Sequence, residues 1–239
     1  MFRTLIWFIY FWLYQIYSLT FLPKLRKLER IGEQEQLESL IHQISRNWAQ
    51  VMVNLTGSKI QVKGEANIPR DQAVLFVSNH QANFDIPLLL GYIDKPKGFI
   101  AKVELTKLPI VSMWMKRINC VFIDRKNVRQ SLQAINEGVE ILRRGYSLVI
   151  FPEGTRSRSN QLGEFKKGSL KLALKAGVPI IPVTINGSYK IMEQSNYLIR
   201  PAKVKIVIGK PIFIEQLTEE EKNNLAEIVR TEITKNIEE

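Results

Sequence analysis

A histidine and a carboxylate stand five positions apart in this chain, shortly after an apolar run. Residues 73–77 are all apolar and include two valines and a phenylalanine, which predicts a buried strand ending just before His80. Pro87 predicts the start of a helix, so a tight turn between the two elements would return Asp85 to His80. A carboxylate that accepts a hydrogen bond from one imidazole nitrogen fixes the tautomer and leaves the other nitrogen basic. The pair is therefore a candidate general base, a device that typically contributes about 10²–10⁴-fold to a rate.

The same carboxylate has a structural alternative. Asp85 lies two residues before Pro87, where an acidic side chain often caps the N-terminus of a helix. The motif alone leaves both interpretations open.

A second polar motif follows another apolar run, 147–151, about seventy residues later. Gly154 allows the backbone to turn sharply or to approach a ligand closely. Arg156 provides a planar fork of donors suited to a phosphate, and Glu153 is placed to hold that arginine or a ligand hydroxyl. The motif predicts an anion clamp.

A third apolar run, 120–123, ends in the charged pair Asp124-Arg125. A single arginine is more often an ordinary surface charge. Surface charge is a poorer explanation when three predicted strands all carry polar groups at their carboxyl ends, because open α/β sheets bind ligands at this edge. We therefore expect one cleft with a base at one strand end and an anion clamp at another.

These residues resemble the glycerolipid acyltransferase family, in particular its lysophosphatidic acid acyltransferases. Four blocks typical of the family occur in the same order and span about residues 60–210. The blocks are His80 to Asp85, 121–125, 151–157 and the apolar stretch 178–183. One departure is visible: the second block often begins with glycine, and Asn119 stands there. Because asparagine tolerates positive φ better than most residues, this departure bears on turn geometry and not on chemistry.

The resemblance implies a reaction and a role for each site residue. His80, oriented by Asp85, would deprotonate the sn-2 hydroxyl of lysophosphatidic acid, which would attack the thioester of acyl-CoA or acyl carrier protein. The phosphate and glycerol would be held by Arg125, Glu153 and Arg156, with close backbone approach at Gly154 and Thr155 and an additional cation at Lys102. It implies no metal and no organic cofactor, since the thioester is already activated.

Other chemistry has little support in the sequence. Cys120 is the one cysteine and lies in an apolar run, where a thiol more often packs than reacts. One cysteine and the distant His42 provide no zinc ligand cluster. No phosphate-binding Walker loop or dinucleotide fingerprint occurs, and His42 is expected to be an ordinary helix residue.

The N-terminus predicts a membrane anchor. Nine of the 22 aromatic residues fall in the first 22 positions, and residues 2–22 are nearly all apolar. A helix of this length is about 30 Å long, just enough to cross a bilayer, while the Trp and Tyr content favours the interface. We expect the anchor to lie in, or dip into, one leaflet. A single full span is the alternative, and in that case the basic cluster at 24–30 would place the remaining chain on the cytoplasmic face.

A second helix is predicted over Gln34 to Leu55 from an apolar stripe at helical spacing. Packing against the following domain and contact with the membrane are equally supported alternatives for this stripe. We expect the two helices, residues 1–57, to form the anchor and residues 58–239 to form the acyltransferase domain.

The charge distribution agrees with an enzyme at an anionic lipid surface. The chain has 34 basic and 23 acidic residues, a net +11, and residues 94–210 alone carry 22 basic against 8 acidic, a net +14. Nucleic acid is not the expected partner, because the aromatic residues cluster in the anchor instead of alternating with the basic ones.

Three classes of function remain: an acyltransferase, a non-catalytic lipid-binding protein and a nucleic-acid-binding protein. Within the first class, the nearest rivals to lysophosphatidic acid as acceptor are glycerol-3-phosphate and other lysolipids. The acyltransferase is the favoured hypothesis.

The remaining pattern predicts an α/β fold, because apolar strands alternate with amphipathic helices. We expect a mixed, mostly parallel sheet flanked by helices and preceded by the two-helix anchor. The predicted strands are Ile60–Lys63, Ala73–Ser78, Val121–Asp124, Leu148–Phe151, Ile180–Thr184 and Val204–Ile208. The predicted helices are Ile86–Tyr92, Ile110–Arg117, Val128–Arg143, Ser169–Ala176 and Glu219–Asn236.

Overall fold

The computed structural model of the protein describes residues 1–238 and contains one mixed sheet covered by helices on both faces. The strands are β1 (Lys59–Lys63), β2 (Leu75–Ser78), β3 (Lys97–Lys102), β4 (Val121–Ile123), β5 (Ser147–Ile150), β6 (Ile180–Asn186) and β7 (Lys203–Ile208). The helices are α1 (Phe2–Ser18), α2 (Leu22–Ile31), α3 (Gln34–Asn54), α4 (Asp85–Tyr92), α5 (Pro109–Arg117), α6 (Val128–Arg143), α7 (Lys171–Ala176), α8 (Glu219–Asn223) and α9 (Leu225–Thr234).

The strands lie in the order β1-β7-β6-β2-β5-β3-β4, and every neighbouring pair is parallel except β6 and β7. The predicted mixed, mostly parallel sheet is confirmed. Because β2, β5, β3 and β4 are adjacent and parallel, their carboxyl ends meet at one edge of the sheet. The polar motifs that follow these strands are therefore brought together by topology alone.

The central strands are apolar because both faces of the sheet are covered. Every residue of β2, β5 and β6 is buried, as expected for parallel strands inside an α/β layer structure. One core lies between the sheet and the helices α3 and α4, and the other lies between the sheet and α6, α7 and α9. The site edge is thus supported by packed layers on both sides.

Strand β3 is absent from the predicted elements, and its composition explains why. It begins with Lys97 and Gly98 and ends with Lys102, which is poor strand sequence. Lys97 is nevertheless buried, because its Nζ donates to the carbonyls of Ile93 and Lys95, each at 2.7 Å. Burial lowers the pKa of Lys97 to about 7.

A further difference concerns the C-terminal helix. The predicted helix Glu219–Asn236 is divided at Asn224 into α8 and α9. Asn119, the departure from the family pattern, has φ of +58°, so this position does use the left-handed conformation that asparagine tolerates.

The N-terminal helices form a continuous helical run, Phe2–Ile31, that is long and apolar enough to cross a membrane. Most of its large apolar side chains are exposed. One side of α1 is tied to the rest of the chain: Arg3 donates to the carbonyl of Thr56 and Trp7 donates to that of Met52, both at 2.8 Å.

Helix α3 packs against α4 with buried residues Ala49 and Val53 in the core on that face of the sheet. Of the two alternatives for the apolar stripe of α3, packing against the following domain is the one that the structure shows.

Candidate active site

His80 lies two residues after β2, and Asp85 is the first residue of α4. The loop between them brings His80 Nδ1 to within 2.7 Å of Asp85 Oδ2. The Asp85 side chain is 0% exposed, whereas that of His80 is 18% exposed. An ionised carboxylate only accepts, so the contact assigns the imidazole proton to Nδ1 and leaves Nε2 as the basic nitrogen.

The contacts of Asp85 exclude the helix-cap alternative. Its Oδ2 also accepts the backbone N–H groups of Gln81 at 2.7 Å and Ala82 at 2.8 Å, both of which precede α4. A capping side chain would instead accept from the first turn of the helix, and Phe84 is the residue at the cap position. Asp85 therefore organises the loop that carries His80.

The ring of His80 rests on a second aromatic surface. It stacks on Phe151, which directly follows β5, with a centroid separation of 4.0 Å and an interplanar angle of 18°. Because β2 and β5 are hydrogen-bonded neighbours, the sheet fixes this contact. The imidazole is thus restrained by the carboxylate on one edge and by the phenyl ring on one face.

Glu153 makes contacts that differ from the expected ones. Its Oε1 accepts the backbone N–H of His80 at 2.7 Å, and its Oε2 accepts that of Gly163 at 2.9 Å. Burial raises the pKa of Glu153, and these two backbone bonds oppose that rise. The carboxylate braces the His80 loop against the 160s loop and does not contact Arg156, so its assignment as a substrate ligand stays a prediction without an observed contact in its favour.

The residues predicted to form an anion clamp come from two loops, one after β5 and one after β4. Gly154 has φ of +72°, which favours glycine, and Arg125 Nη1, from the loop after β4, donates to its carbonyl. Arg156 Nη1 lies 3.4 Å from Glu193 Oε1. Arg125, Thr155 and Arg156 line one cavity.

Residues that the sequence analysis did not single out also belong to this site. The backbone N–H of Ser157 donates to the carbonyl of His80 at 2.8 Å, and that of Arg158 donates to the carbonyl of Gln81 at 3.1 Å. These bonds join the two motif loops side by side. Arg158, with φ of +59°, lines the cavity as a further cation, and its position two residues after Arg156 was the available signal.

A cavity of about 670 Å³ connects these groups with the N-terminal helices. Its polar end is lined by His80, Asn83, Lys102, Arg125, Gly154, Thr155, Arg156 and Arg158. Its apolar end is lined mainly by residues of α1, α3, α4 and α5, including Tyr14, Ile44, Trp48, Leu90, Val111 and Trp114. Four cationic and no acidic side chains occur among the lining residues that the structure describes, so the cavity suits a ligand with an anionic head and an apolar body.

Cys120 also lines this cavity, but burial raises the pKa of its thiol to about 12. It is therefore a packing residue at neutral pH. Within residues 1–238, no group of three or more His, Cys, Asp or Glu side chains is arranged to hold a metal ion.

Comparisons with known proteins agree with this architecture. The family model described as Acyltransferase matches residues 59–186. The chain is 39% identical to a probable 1-acyl-sn-glycerol-3-phosphate acyltransferase of Mycoplasma pneumoniae, covering 75% of this chain and 71% of the relative. It is 34% identical to the 1-acyl-sn-glycerol-3-phosphate acyltransferase of Borreliella burgdorferi, covering 77% and 74%.

The fold is similar to a solved structure along almost its whole length. The crystal structure of the 1-acyl-sn-glycerophosphate (LPA) acyltransferase PlsC of Thermotoga maritima superposes with a TM-score of 0.83 at 31% identity, covering 98% of this chain and 95% of that one. The four motif blocks, the matched family region and the shared fold confirm the resemblance seen in the sequence. This chain belongs to the acyltransferase family.

Proposed function

We propose that this protein transfers a fatty acyl group from an acyl thioester to the sn-2 hydroxyl of 1-acylglycerol-3-phosphate, producing phosphatidic acid for phospholipid synthesis. The observation that carries the proposal is the position of His80. Its imidazole, restrained by a buried carboxylate, lines a cavity that is also lined by four cationic side chains and by many apolar ones.

His80 acts as the general base in this proposal, and Asp85 orients it. Nε2 of His80 takes the proton of the sn-2 hydroxyl as the alkoxide oxygen forms a bond to the thioester carbonyl carbon. The tetrahedral intermediate then collapses, the C–S bond breaks, and the imidazolium returns the proton to the leaving thiolate. The products are an ester and a free thiol, and His80 is regenerated.

The cations at the polar end hold the phosphate of the acceptor. Arg125 and Arg156 are the principal ligands, since a guanidinium donates two parallel bonds to a phosphate. Lys102 and Arg158 add positive charge, and the backbone at Gly154 and Thr155 allows close approach. The thioester is already activated, so the proposal requires neither a metal nor an organic cofactor.

The apolar end of the cavity accommodates an acyl chain. Its walls come from α1, α3, α4 and α5 and include the rings of Trp48 and Trp114. Acyl-CoA and acyl carrier protein share the thioester chemistry at His80, so both are candidate donors.

The N-terminal apolar helix associates the protein with membranes. We propose that it lies along one leaflet, because α1 carries exposed apolar residues on one side and hydrogen bonds to Thr56 and Met52 on the other. The basic cluster Lys24, Arg26, Lys27 and Arg30 favours the cytoplasmic face of the cell membrane. Membrane phospholipids are thus its surroundings and the source of its acceptor.

An acceptor panel tests the proposal. Purified full-length protein is mixed with a labelled acyl-CoA or acyl carrier protein thioester and with lysophosphatidic acid, glycerol-3-phosphate or lysophosphatidylcholine. We expect transfer to lysophosphatidic acid to exceed transfer to the other acceptors by about 10-fold or more, because one of them lacks an acyl chain and the other shields the phosphate.

The other hypotheses predict different outcomes of this panel. Preferred acylation of glycerol-3-phosphate or of another lysolipid would replace the proposed acceptor. Absence of transfer to every acceptor, with membrane binding retained, would favour a non-catalytic lipid-binding protein. Selective oligonucleotide binding at physiological salt would favour a nucleic-acid-binding protein.

A further inference from the structure

The segment that follows β6 approaches the site from outside the four motif blocks. β6 ends at Asn186, and Gly187 makes a tight turn with φ of +85°. A Cβ at this glycine would lie 2.5 Å from the backbone oxygen of Lys203, so only glycine fits here. The turn directs the segment Ser188–Ser195 across the loop that carries the His–Asp pair.

Ser188 contacts the half of the Asp85 carboxylate that His80 does not use. Its Oγ donates to Asp85 Oδ1 at 2.5 Å, and Ser188 is fully buried. The backbone N–H of Ser188 donates to Gln81 Oε1 at 3.2 Å. Among the described residues, the Ser188 hydroxyl is the one hydrogen-bond donor to Oδ1, whereas Oδ2 accepts three donors.

Glu193, five residues later, joins the two motif loops. Its Oε1 accepts the backbone N–H of Asn83 at 2.8 Å and faces Arg156 Nη1 at 3.4 Å. The Glu193 side chain is fully buried, and within residues 1–238 its Oε2 has no hydrogen-bond partner. Through Oε1, the Glu193 carboxylate links the loop that carries His80 to Arg156.

We propose that Ser188 and Glu193 are positioning residues for acyl transfer, Ser188 through Asp85 and Glu193 through Arg156 and the Asn83 backbone. The inference rests on the proposed function and extends it to a segment that the motif blocks do not include. Ser188 acts on the proton-transfer end of the site, and Glu193 acts on the phosphate end.

The two contacts have different kinetic consequences. The Ser188 hydroxyl stabilises the ionised carboxylate by a charge-assisted hydrogen bond. Without this hydrogen bond, the charge on the Asp85 carboxylate interacts more strongly with the protonated imidazole of His80. His80 then keeps its proton up to a higher pH, so it cannot act as a base over a wider acidic range. Loss of Glu193 leaves proton transfer intact but frees Arg156 and the loop at Asn83, which weakens acceptor binding.

Ser188→Ala and Ser188→Cys test the first contact by the pH dependence of kcat/KM for lysophosphatidic acid. We expect Ser188→Ala to lower kcat about 10-fold and to move the acid limb to higher pH by about half a unit or more. Ser188→Cys, of similar size but with a weaker donor, should lie between Ala and wild type. Ser78→Ala is the matched control, because Ser78 is equally buried and its Oγ donates to a backbone carbonyl.

An unmoved acid limb in both Ser188 variants would overturn the first half of the proposal, even if kcat fell. A packing defect lowers activity or stability at every pH and leaves the limb where it is. A shift of the same size in Ser78→Ala would also overturn it.

Glu193→Ala and Glu193→Gln test the second contact by the two substrate constants. We expect Glu193→Ala to raise the KM for lysophosphatidic acid about 10-fold, with the donor KM and kcat within about twofold of wild type. Glu193→Gln keeps an oxygen acceptor for Asn83 and Arg156 and should restore most of the acceptor affinity. Equal rises in both KM values, or a fall in kcat alone, would overturn the assignment.

These outcomes are distinguishable from failure of the proposed function. If the wild-type protein transfers acyl groups to no acceptor, the proposed function fails. If the wild type is active and both variant series leave the acid limb and the acceptor KM unchanged, the positioning role fails while the function stands.

Discussion

The chain has two histidines, and each lies against an aspartate, yet the two pairs differ in their separation, in the burial of the aspartate and in the other partners of the aspartate. His80 and Asp85 are 2.7 Å apart, and Asp85 is fully buried under several donors. His42 and Asp94 are 3.1 Å apart, and the Asp94 side chain is 47% exposed. Asp94 also pairs with Arg46 at 3.0 Å.

The surroundings of the two pairs differ as well. His80 lines the large cavity, whereas His42 joins α3 to Asp94, two residues after α4, and does not line it. Burial lowers the pKa of His42, and its hydrogen bond to Asp94 opposes that effect. In this chain the His–Asp contact that qualifies as a candidate base is the one whose aspartate is buried, accepts several hydrogen bonds and lies beside the cavity.

Replacing His80 with alanine should have the largest effect. We expect kcat for acyl transfer to fall by up to about 10⁴-fold, because the proton acceptor is lost. Binding to anionic vesicles should be retained, since the anchor is unchanged. Turnover is measured with labelled donor and vesicle binding by co-sedimentation; full turnover by the variant would refute the general-base assignment.

Replacing the aspartate of each pair with asparagine compares the two pairs directly. Asp85→Asn should lower kcat by about 10²-fold, because the amide is neutral and no longer an all-acceptor group for the imidazole and loop N–H donors. Asp94→Asn should leave kcat within about twofold, since its partners lie outside the cavity. Similar losses in both variants would remove the distinction drawn between the pairs.

Arg156→Ala should raise the KM for lysophosphatidic acid by about 10–100-fold, as a charge-assisted contact to the phosphate is lost. Arg156→Lys should recover only part of the affinity, because an ammonium lacks the planar fork of donors. Initial rates at varied acceptor concentration measure both. If Arg156→Ala changed only the KM for the acyl donor, Arg156 would not be a ligand of the acceptor phosphate.

Lys97 lies outside the site, and its burial predicts how the stability of the fold depends on pH. Burial lowers the pKa of Lys97 to about 7 from its ordinary 10.5, so between these values the unfolded chain binds more protons and stability rises with pH. Lys97→Met should lack this rise, while Lys171→Met, which removes an exposed lysine, should keep it. Unfolding midpoints from pH 7 to 10 measure the slope, and equal slopes in all three proteins would contradict the expectation.

His42→Ala should have the smallest effect. Activity should stay within about twofold, and the free energy of unfolding should fall by about 1 kcal/mol or less, because the partner carboxylate is half exposed and keeps Arg46. Turnover and denaturant unfolding measure the two quantities. A loss of activity comparable to that of Asp85→Asn would show that the second pair is coupled to catalysis.

Much of the fold could be predicted because its signals are local. Apolar runs define β2, β5 and β6, and α6 was predicted with its exact bounds from amphipathic spacing alone. β3 could not be predicted in this way, because Lys97 is buried only by virtue of carbonyls that the fold presents to it. The break at Asn224 was likewise not visible in helical spacing.

Chain order alone places polar residues directly after three apolar runs, and parallel strands that end at one edge of a sheet bring such residues together. The sequence identified His80, Asp85, Arg125, Gly154, Thr155, Arg156 and Lys102, all of which lie in or beside one cavity. The match to the family blocks was also a property of the sequence alone.

How those residues are held depends on the tertiary structure as well, because the contacts of Glu153, Ser188 and Glu193 with the His80 loop join positions far apart in the chain. Glu153 braces the backbone of His80, and Ser188 and Glu193 reach the site from a segment about 100 residues beyond the His–Asp motif. The sequence shows that a carboxylate is present, but its desolvation and its partners depend on what packs over it. That is why one of the two His–Asp pairs is a candidate base, and the other is an ordinary contact between α3 and the loop that follows α4.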